Sequence, residues 1–254
     1  MTIPSLVAFD LDDTLADSRS PLEPEMAAAL RRLLDHLPVG IISGGHFPQF
    51  SGQILALLPP GTNLANLHLL PTCGTRCMRF KDGAWREVYA HDLTPDEKQR
   101  VIASIERHAH ELGLWEPDDK VRGARIEDRG SQVTYSALGQ RARLADKRAW
   151  DPDGRKRHAL RDAVAADVPD LTVAAGGSTS IDVTRQGVDK AYGMRQLSEQ
   201  SGVPLEDMLF VGDRLEPGGN DHPVVQLGVA TVAVTGWRDT LTFINDLCDR
   251  LENT

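Results

Sequence analysis

Short apolar runs that stop abruptly at polar residues constrain this chain most. Leu6-Val7-Ala8-Phe9 ends at Asp10, Val39-Gly40-Ile41-Ile42 at Ser43, and Met208-Leu209-Phe210-Val211 at Gly212-Asp213. Apolar runs without alternation predict strands buried on both faces, the habit of parallel sheets covered by helices. Between the first two, Met26, Leu30, Leu33, Leu34 and Leu37 recur at helical spacing behind Pro24. A second helix is expected to carry Phe50, Ile54, Leu57 and Leu58. Strand, helix, strand, helix predicts an α/β fold with a Rossmann-like, doubly wound parallel sheet.

The pattern changes near residue 75 and returns at Lys190. Cys77–Phe80 and Trp85–Tyr89 flank Lys81-Asp82-Gly83, a hairpin signal. Thr94-Pro95-Asp96-Glu97 is a capping box with proline at the first helical position, and Val101, Ile102, Ile105, Ala109 and Leu112 form one face behind it. Ala124–Asp128 and Gln132–Ser136 read as a second hairpin, and a helix is expected from Asp151-Pro152 to about Ala166. From Lys190 a helix runs to about Gln200, Thr231–Val234 is a strand, and Leu241, Ile244, Leu247 and Leu251 mark a closing helix. The reading is a discontinuous core, residues 1–84 and 186–254, interrupted by an α+β insert at 85–185.

The net charge of −9 argues against a nucleic-acid or anionic-membrane surface. No window approaches a membrane span and the N-terminus lacks a signal-peptide pattern. Cys73, Cys77 and Cys248 make no disulfide framework, so a reducing cytoplasm is expected.

Ligands in doubly wound sheets bind beyond the carboxyl ends of the strands. Asp10 and Asp12 follow the first strand, Ser43 the second and Asp213 a later one, while Lys190 opens a helix. Gly218 and Gly219 permit a tight turn that returns Asn220 and Asp221 to the same place. Oxygen-only ligands of this kind select Mg²⁺, which would offset the repulsion among the carboxylates. Lys190 adds a positive charge, and Ser43 offers a hydroxyl to a phosphate oxygen.

FDLDDTL, IISGG, Lys190 and GDRLEPGGND resemble the four ordered motifs of the haloacid dehalogenase (HAD) superfamily of phosphoryl-transfer enzymes. The insert is similar to that superfamily's type IIB cap. The resemblance implies that Asp10 is the nucleophile and Asp12 the general acid/base. It implies that Ser43 and Lys190 complete the catalytic set, and that Asp10, Asp12 (through its backbone carbonyl), Asp213, Asn220 and Asp221 serve the metal. Asp13 stands where many members have glycine, which suggests a local hydrogen-bonding role.

EPGGNDHPV, GGSTSIDVTRQGVDKAYGMRQL and RGARIEDRGSQVTYSALGQ resemble stretches of the eukaryotic-type phosphomannomutases. That resemblance implies contacts to a phosphorylated sugar from Arg19, Gly44, Gly45, Arg122, Arg129, Gln140, Ser180 and Asp182, and a homodimer through the cap. Gln140 stands where the mutases carry a phosphate-gripping arginine, Ser43-Gly44-Gly45 has the general phosphatase form, and Thr72-Cys73-Gly74 replaces an Asn-Gly pair. These departures make a Mg²⁺-dependent sugar-phosphate phosphohydrolase the first expectation. A phosphohexomutase is the alternative, and a non-catalytic phosphosugar-binding regulator the second. Outside the site, Asp17, Asp118, Asp119, Asp151 and Asp153 are expected to cap helices or line loops. His46 is expected in a structural hydrogen bond, His222 either in support of the metal loop or at the surface at a helix start, and the four tryptophans in packing.

Overall fold

The computed structural model describes residues 3–253. Its first elements are β1 (Leu6–Phe9), α1 (Pro24–His36), β2 (Val39–Ile42), α2 (Phe47–Phe50), β3 (Leu67–Leu70), β4 (Arg76–Lys81) and β5 (Ala84–Ala90). There follow α3 (Pro95–Glu111), β6 (Ile126–Asp128), β7 (Gln132–Ser136), α4 (Leu144–Trp150), α5 (Arg155–Asp167), β8 (Leu171–Gly176) and β9 (Ser180–Arg185). The chain closes with α6 (Lys190–Ser201), β10 (Met208–Gly212), α7 (His222–Gln226), β11 (Ala230–Ala233) and α8 (Trp237–Glu252). Residues up to Ala90 and from Val188 onward form one unit, and His91–Gly187 form a second.

In the first unit a seven-stranded sheet has the order β11-β10-β1-β2-β3-β4-β5. Its first five strands are parallel, and β4 and β5 are antiparallel additions. Period-two alternation explains why β1 is apolar throughout. Val7 and Phe9 face a core shared with Leu30, Leu33 and Leu34 of α1 and Ile244 and Leu247 of α8. Leu6 and Ala8 face the other way, into a core with Met194 and Leu197 of α6 and Val224 of α7. The sheet is therefore covered on both faces, and the fold is the doubly wound α/β type. Burying such side chains contributes about 1.5–3 kcal/mol each for the larger ones, so register is strongly specified.

The second unit is α+β. Its antiparallel sheet has the order β6-β7-β9-β8. Val133, Tyr135, Ile181 and Val183 pack against Val101, Ile105 and Ala109 of α3 and Leu160 and Val164 of α5. The alternate residues Gln132, Thr134, Ser136, Ser180, Asp182 and Thr184 share the opposite face, making it polar. Thr94 caps α3 through the expected reciprocal box, its Oγ1 accepting from Glu97 N at 3.2 Å and its own N–H donating to Glu97 Oε2 at 2.6 Å.

Several details differ from the sequence reading. The insert begins after Ala90, because Ala84–Ala90 pairs with β4 in the seven-stranded sheet and a boundary at 84/85 would divide a hairpin. Its other limit lies at 187/188. Leu67–Leu70 forms a parallel strand that the reading did not assign; four residues against Pro71 are too short a signal to separate from a helix end. Leu144–Trp150 is a helix of its own, and the next helix starts at Arg155 rather than at Asp151-Pro152; Asp151 serves its first turn, as expected, by accepting from the backbone N–H groups of Lys156 and Arg157 at 3.0 and 3.1 Å. The helix expected around Phe50 is one α turn continued by a π-helical stretch, Ser51–Leu55. No helix among the described residues is long and apolar enough to cross a membrane.

Candidate active site

The parallel strands end where the first unit gathers its acids. Asp10, just past β1, is 4% exposed and donates its N–H to Val211 O at 3.0 Å. Asp213 follows β10, and the tight turn after it brings back Asp221, which is fully buried. Asp10, Asp213 and Asp221 each offer an oxygen within 4.8 Å of the others. Gly212 makes this approach feasible, since a Cβ there would lie 2.8 Å from Asp221 Cγ.

Lys190, the first residue of α6, enters the same cluster. Asp189 caps that helix by accepting from Tyr192 N at 2.8 Å, which fixes where Lys190 starts. Lys190 Nζ lies 2.6 Å from Asp10 Oδ1 and also donates to Asp221 Oδ1. Asp221 Oδ2 accepts from Arg214 N at 3.0 Å, so both oxygens of this buried carboxylate are occupied within the protein. His222 Nδ1 pairs with Leu215 O at 2.9 Å and ties the turn together.

Two carboxylates thus share one ammonium, with the Asp213 carboxylate beside them. Burial pushes the Asp10 carboxyl up to about 7, against the pull of Lys190. Burial, and then the neighbouring Asp221, also raises Asp213. Burial works against the Lys190 ammonium, but Asp10 and Asp221 outweigh it and hold the lysine above its usual value. The lysine keeps its charge and the acids carry the unmet repulsion. A clustered, oxygen-only donor set with excess negative charge fits a hard divalent cation.

Ser43 is 3% exposed and its Oγ accepts from Gly45 N at 3.1 Å. The Thr72-Cys73-Gly74 turn braces this loop: Cys73 N donates to Ser43 O and Thr72 N to Gly45 O, each at 2.9 Å. Asp12 behaves differently from its neighbours. Its carboxylate accepts from Arg19 N, Gln49 and Gln53. Asp13 has φ +60°, the left-handed region that favours Gly, Asn and Asp, and its Oδ1 accepts from Ser18 N at 3.1 Å. Asn220 is exposed. Thr14 Oγ1 donates to Asp213 Oδ1 at 3.3 Å, a contact the motif reading did not anticipate.

Arg122, Arg129, Gln140, Ser180 and Asp182 belong to the second unit. Arg122 donates to Asp119 O and Val121 O at 2.7 and 3.1 Å, and Arg129 pairs with Glu127 at 2.8 Å. Gln140 O accepts from Lys147 Nζ at 2.9 Å. Asp182 accepts from Gln132 Nε2 and Thr134 Oγ1 at 2.8 and 2.6 Å, and Ser180 is opposite Ser136 on the same sheet face. Gln132 and Thr134 escaped the sequence reading, although their period-two spacing with Ser136 was visible.

Fold and site together define an enzyme of the haloacid dehalogenase superfamily, a phosphatase or phosphomutase. More narrowly, residues 26–249 match the family model for eukaryotic phosphomannomutase, and the chain belongs to that family. The phosphomannomutase of Spinacia oleracea is 25% identical over 230 residues, covering 87% of this chain and 86% of the spinach protein. Phosphomannomutase 2 of Dictyostelium discoideum is 23% identical over 252 residues, covering 95% and 96%. Among solved structures, Plasmodium falciparum IMP-nucleotidase with IMP bound superposes with a TM-score of 0.70 at 13% identity, over 97% of this chain and 68% of that one. The Thermoplasma acidophilum 0175 structure gives 0.65 at 16% identity over the whole of both chains. At these identities the likeness of the structures is one of fold.

Proposed function

We propose that the protein is a Mg²⁺-dependent phosphohexomutase that moves a phosphoryl group between the 1- and 6-positions of a hexose. The observation that carries this reading is the extent of the family match. It runs through the whole second unit, where substrate selectivity would reside, as well as through Ser43, Lys190 and Asp213. This favours the mutase over the hydrolase that the departures in the motifs first suggested.

In the proposed reaction, an Asp10 carboxylate oxygen attacks phosphorus in line with the sugar–oxygen bond. The bond to Asp10 forms as the phosphorus–oxygen bond breaks, and Asp12 gives its proton to the departing sugar oxygen. In the second half Asp12 takes the proton of an incoming sugar hydroxyl, whose oxygen accepts the phosphoryl group from Asp10. Lys190 holds Asp10 in place, and Ser43 with the Gly44 and Gly45 backbone binds phosphoryl oxygens. Asp10, Asp213, the Asp12 carbonyl, Asn220 and Asp221 would hold Mg²⁺. When bound, the ion supplies charge neutralisation to the transferring group. Arg19, Arg122, Arg129, Gln140, Ser180 and Asp182 would hold the distal phosphate and sugar hydroxyls, with the second unit acting as a specificity cap. A homodimer through that cap and a cytoplasmic location complete the reading.

Two observations favour a second reading, a sugar-phosphate phosphohydrolase. Gln140 replaces an arginine that a bisphosphate intermediate would use, and Arg129 is already paired with Glu127. No observation favours a non-catalytic regulator. Phosphorus NMR of α-mannose 1-phosphate with the protein, Mg²⁺ and glucose 1,6-bisphosphate separates the first two. Conversion to mannose 6-phosphate, dependent on the bisphosphate, is expected; quantitative release of inorganic phosphate would establish the hydrolase instead.

A further inference from the structure

Asp12 is held by amides that lie outside the acidic motif. Gln49 Nε2 donates to Asp12 Oδ2 at 3.1 Å, and Gln53 Nε2 lies 3.4 Å from Asp12 Oδ1. Arg19 N donates to that same Oδ1 at 2.6 Å. Both carboxylate oxygens are therefore met by donors, which defines the plane of the group as well as its position. The two glutamines sit four residues apart, one at the end of α2 and the other in the π-helical stretch that continues it. Single-turn π segments of this kind recur at functional sites because they re-aim a side chain without ending the helix.

Gln53 shows that the arrangement is maintained at a cost. Its Nε2 also donates to Ser20 O at 2.8 Å. Both neighbours of the amide are acceptors, so the nitrogen must face them. Gln53 Oε1 is consequently buried without a hydrogen-bond partner in a residue 6% exposed. An orphaned buried acceptor destabilises the fold, a cost that an apolar side chain at this position would avoid. Gly45 accommodates the other amide: a Cβ there would lie 2.6 Å from Gln49 Cδ, displacing it. The Ser43-Gly44-Gly45 loop therefore packs against Gln49, and the two glutamines converge on one carboxylate.

We infer that Gln49 and Gln53 are positioning residues that aim the Asp12 carboxylate for proton transfer to and from the sugar oxygen. The inference rests on Asp12 being the acid/base of the proposed reaction. A sugar alkoxide leaves only with a proton, whereas 2,4-dinitrophenolate leaves without one. A fault in aiming Asp12 therefore slows transfer from or to a sugar oxygen and spares the transfer from dinitrophenyl phosphate to Asp10, while a general structural fault lowers both together.

The test compares kcat for α-mannose 1-phosphate, with glucose 1,6-bisphosphate present, with the burst rate of 2,4-dinitrophenolate release from 2,4-dinitrophenyl phosphate, which reports phosphoryl transfer to Asp10 alone. Gln49→Met keeps side-chain length and removes the donor at a half-buried position, so the fold is expected to survive; Gln53→Met removes the second donor. In Gln49→Met the ratio of the two rates is expected to fall about ten-fold, a part of the roughly 10²–10⁴-fold that general acid–base catalysis contributes as a whole. Asp12→Asn should lower it further, and adding Gln49→Met to Asp12→Asn should lower it no more, because both act through one group. Equal losses on both substrates, or an unchanged ratio in Gln49→Met while Asp12→Asn lowers it, would overturn the inference. An unchanged ratio in Asp12→Asn overturns the acid/base reading itself, and turnover of neither substrate by the wild-type protein overturns the phosphoryl-transfer reading.

Discussion

Lys190 Nζ lies 2.6 Å from Asp10 Oδ1, both side chains almost wholly withdrawn from solvent. The lysine is the cation that makes a buried aspartate cluster tolerable, and Asp221 depends on it as well. Removing one partner of such a set leaves uncompensated buried charge, which typically costs about 3–5 kcal/mol. Lys190→Met is therefore expected to lose stability of that order in denaturant unfolding without added metal, and to lose kcat by roughly two orders of magnitude or more. A variant with wild-type stability would show that the cluster is neutralised by something else.

Mg²⁺ should stabilise the folded chain by mass action. At a free concentration of about 100 times its dissociation constant the gain is about 2.7 kcal/mol, read as a rise in Tm that EDTA reverses. Asp213→Asn should abolish that rise while retaining the fold. The oxygens of Asp10, Asp213 and Asp221 lie within 4.8 Å of one another, so loss of one should be felt at once. A Tm that responds equally to Mg²⁺ in this variant would remove Asp213 from the proposed ligands.

His68 supplies a pH dependence independent of the acids. Burial, and then Arg79, lowers its pKa to about 4, and its Nδ1 faces Arg79 at 3.0 Å. The unfolded chain binds a proton near pH 6.5, so the stabilising effect of the neutral imidazole is complete above that pH. It is lost as pH falls toward 4, amounting to about 3 kcal/mol. Asp10, with its raised pKa, works in the opposite direction over much of the same range. Comparing wild type with His68→Gln cancels that contribution. The stability difference between the two proteins should shift by about 3 kcal/mol in favour of the variant between pH 7 and pH 4; a constant difference would contradict the buried neutral imidazole.

Asp13→Gly should be tolerated. The φ of +60° suits glycine, and the variant gives up one hydrogen bond to Ser18 N. A stability change within about 1 kcal/mol and activity within a few-fold are expected from unfolding curves and initial rates. Complete loss of turnover would give Asp13 a chemical role.

Much of this architecture was legible because its signals are local. Unbroken apolar runs marked the parallel strands, Lys81-Asp82-Gly83 the hairpin, and Thr94 with Glu97 the helix start. Each reflects sterics or hydrogen bonding within a few residues. The strand Leu67–Leu70 and the limit of the insert at Ala90 depend on which strand is paired with which, and pairing is a property of the folded sheet. The gathering of Asp10, Lys190, Asp213 and Asp221 followed from motif order. The contacts of Asp12 with Gln49 and Gln53, and of Asp182 with Gln132 and Thr134, did not. Uncharged amides and hydroxyls carry no distinctive sequence signal until a backbone brings them to a carboxylate.

In the proposed reaction everything turns on Asp10 receiving the phosphoryl group. The most direct measurement is rapid-quench labelling of the protein with a bisphosphorylated hexose and Mg²⁺, followed by mass analysis of the peptide containing Asp10. One acid-stable, hydroxylamine-sensitive phosphoryl adduct on Asp10 is expected, absent from Asp10→Asn, which should also lack turnover while unfolding at a comparable Tm. Turnover retained in Asp10→Asn, or an adduct on another residue, would contradict it.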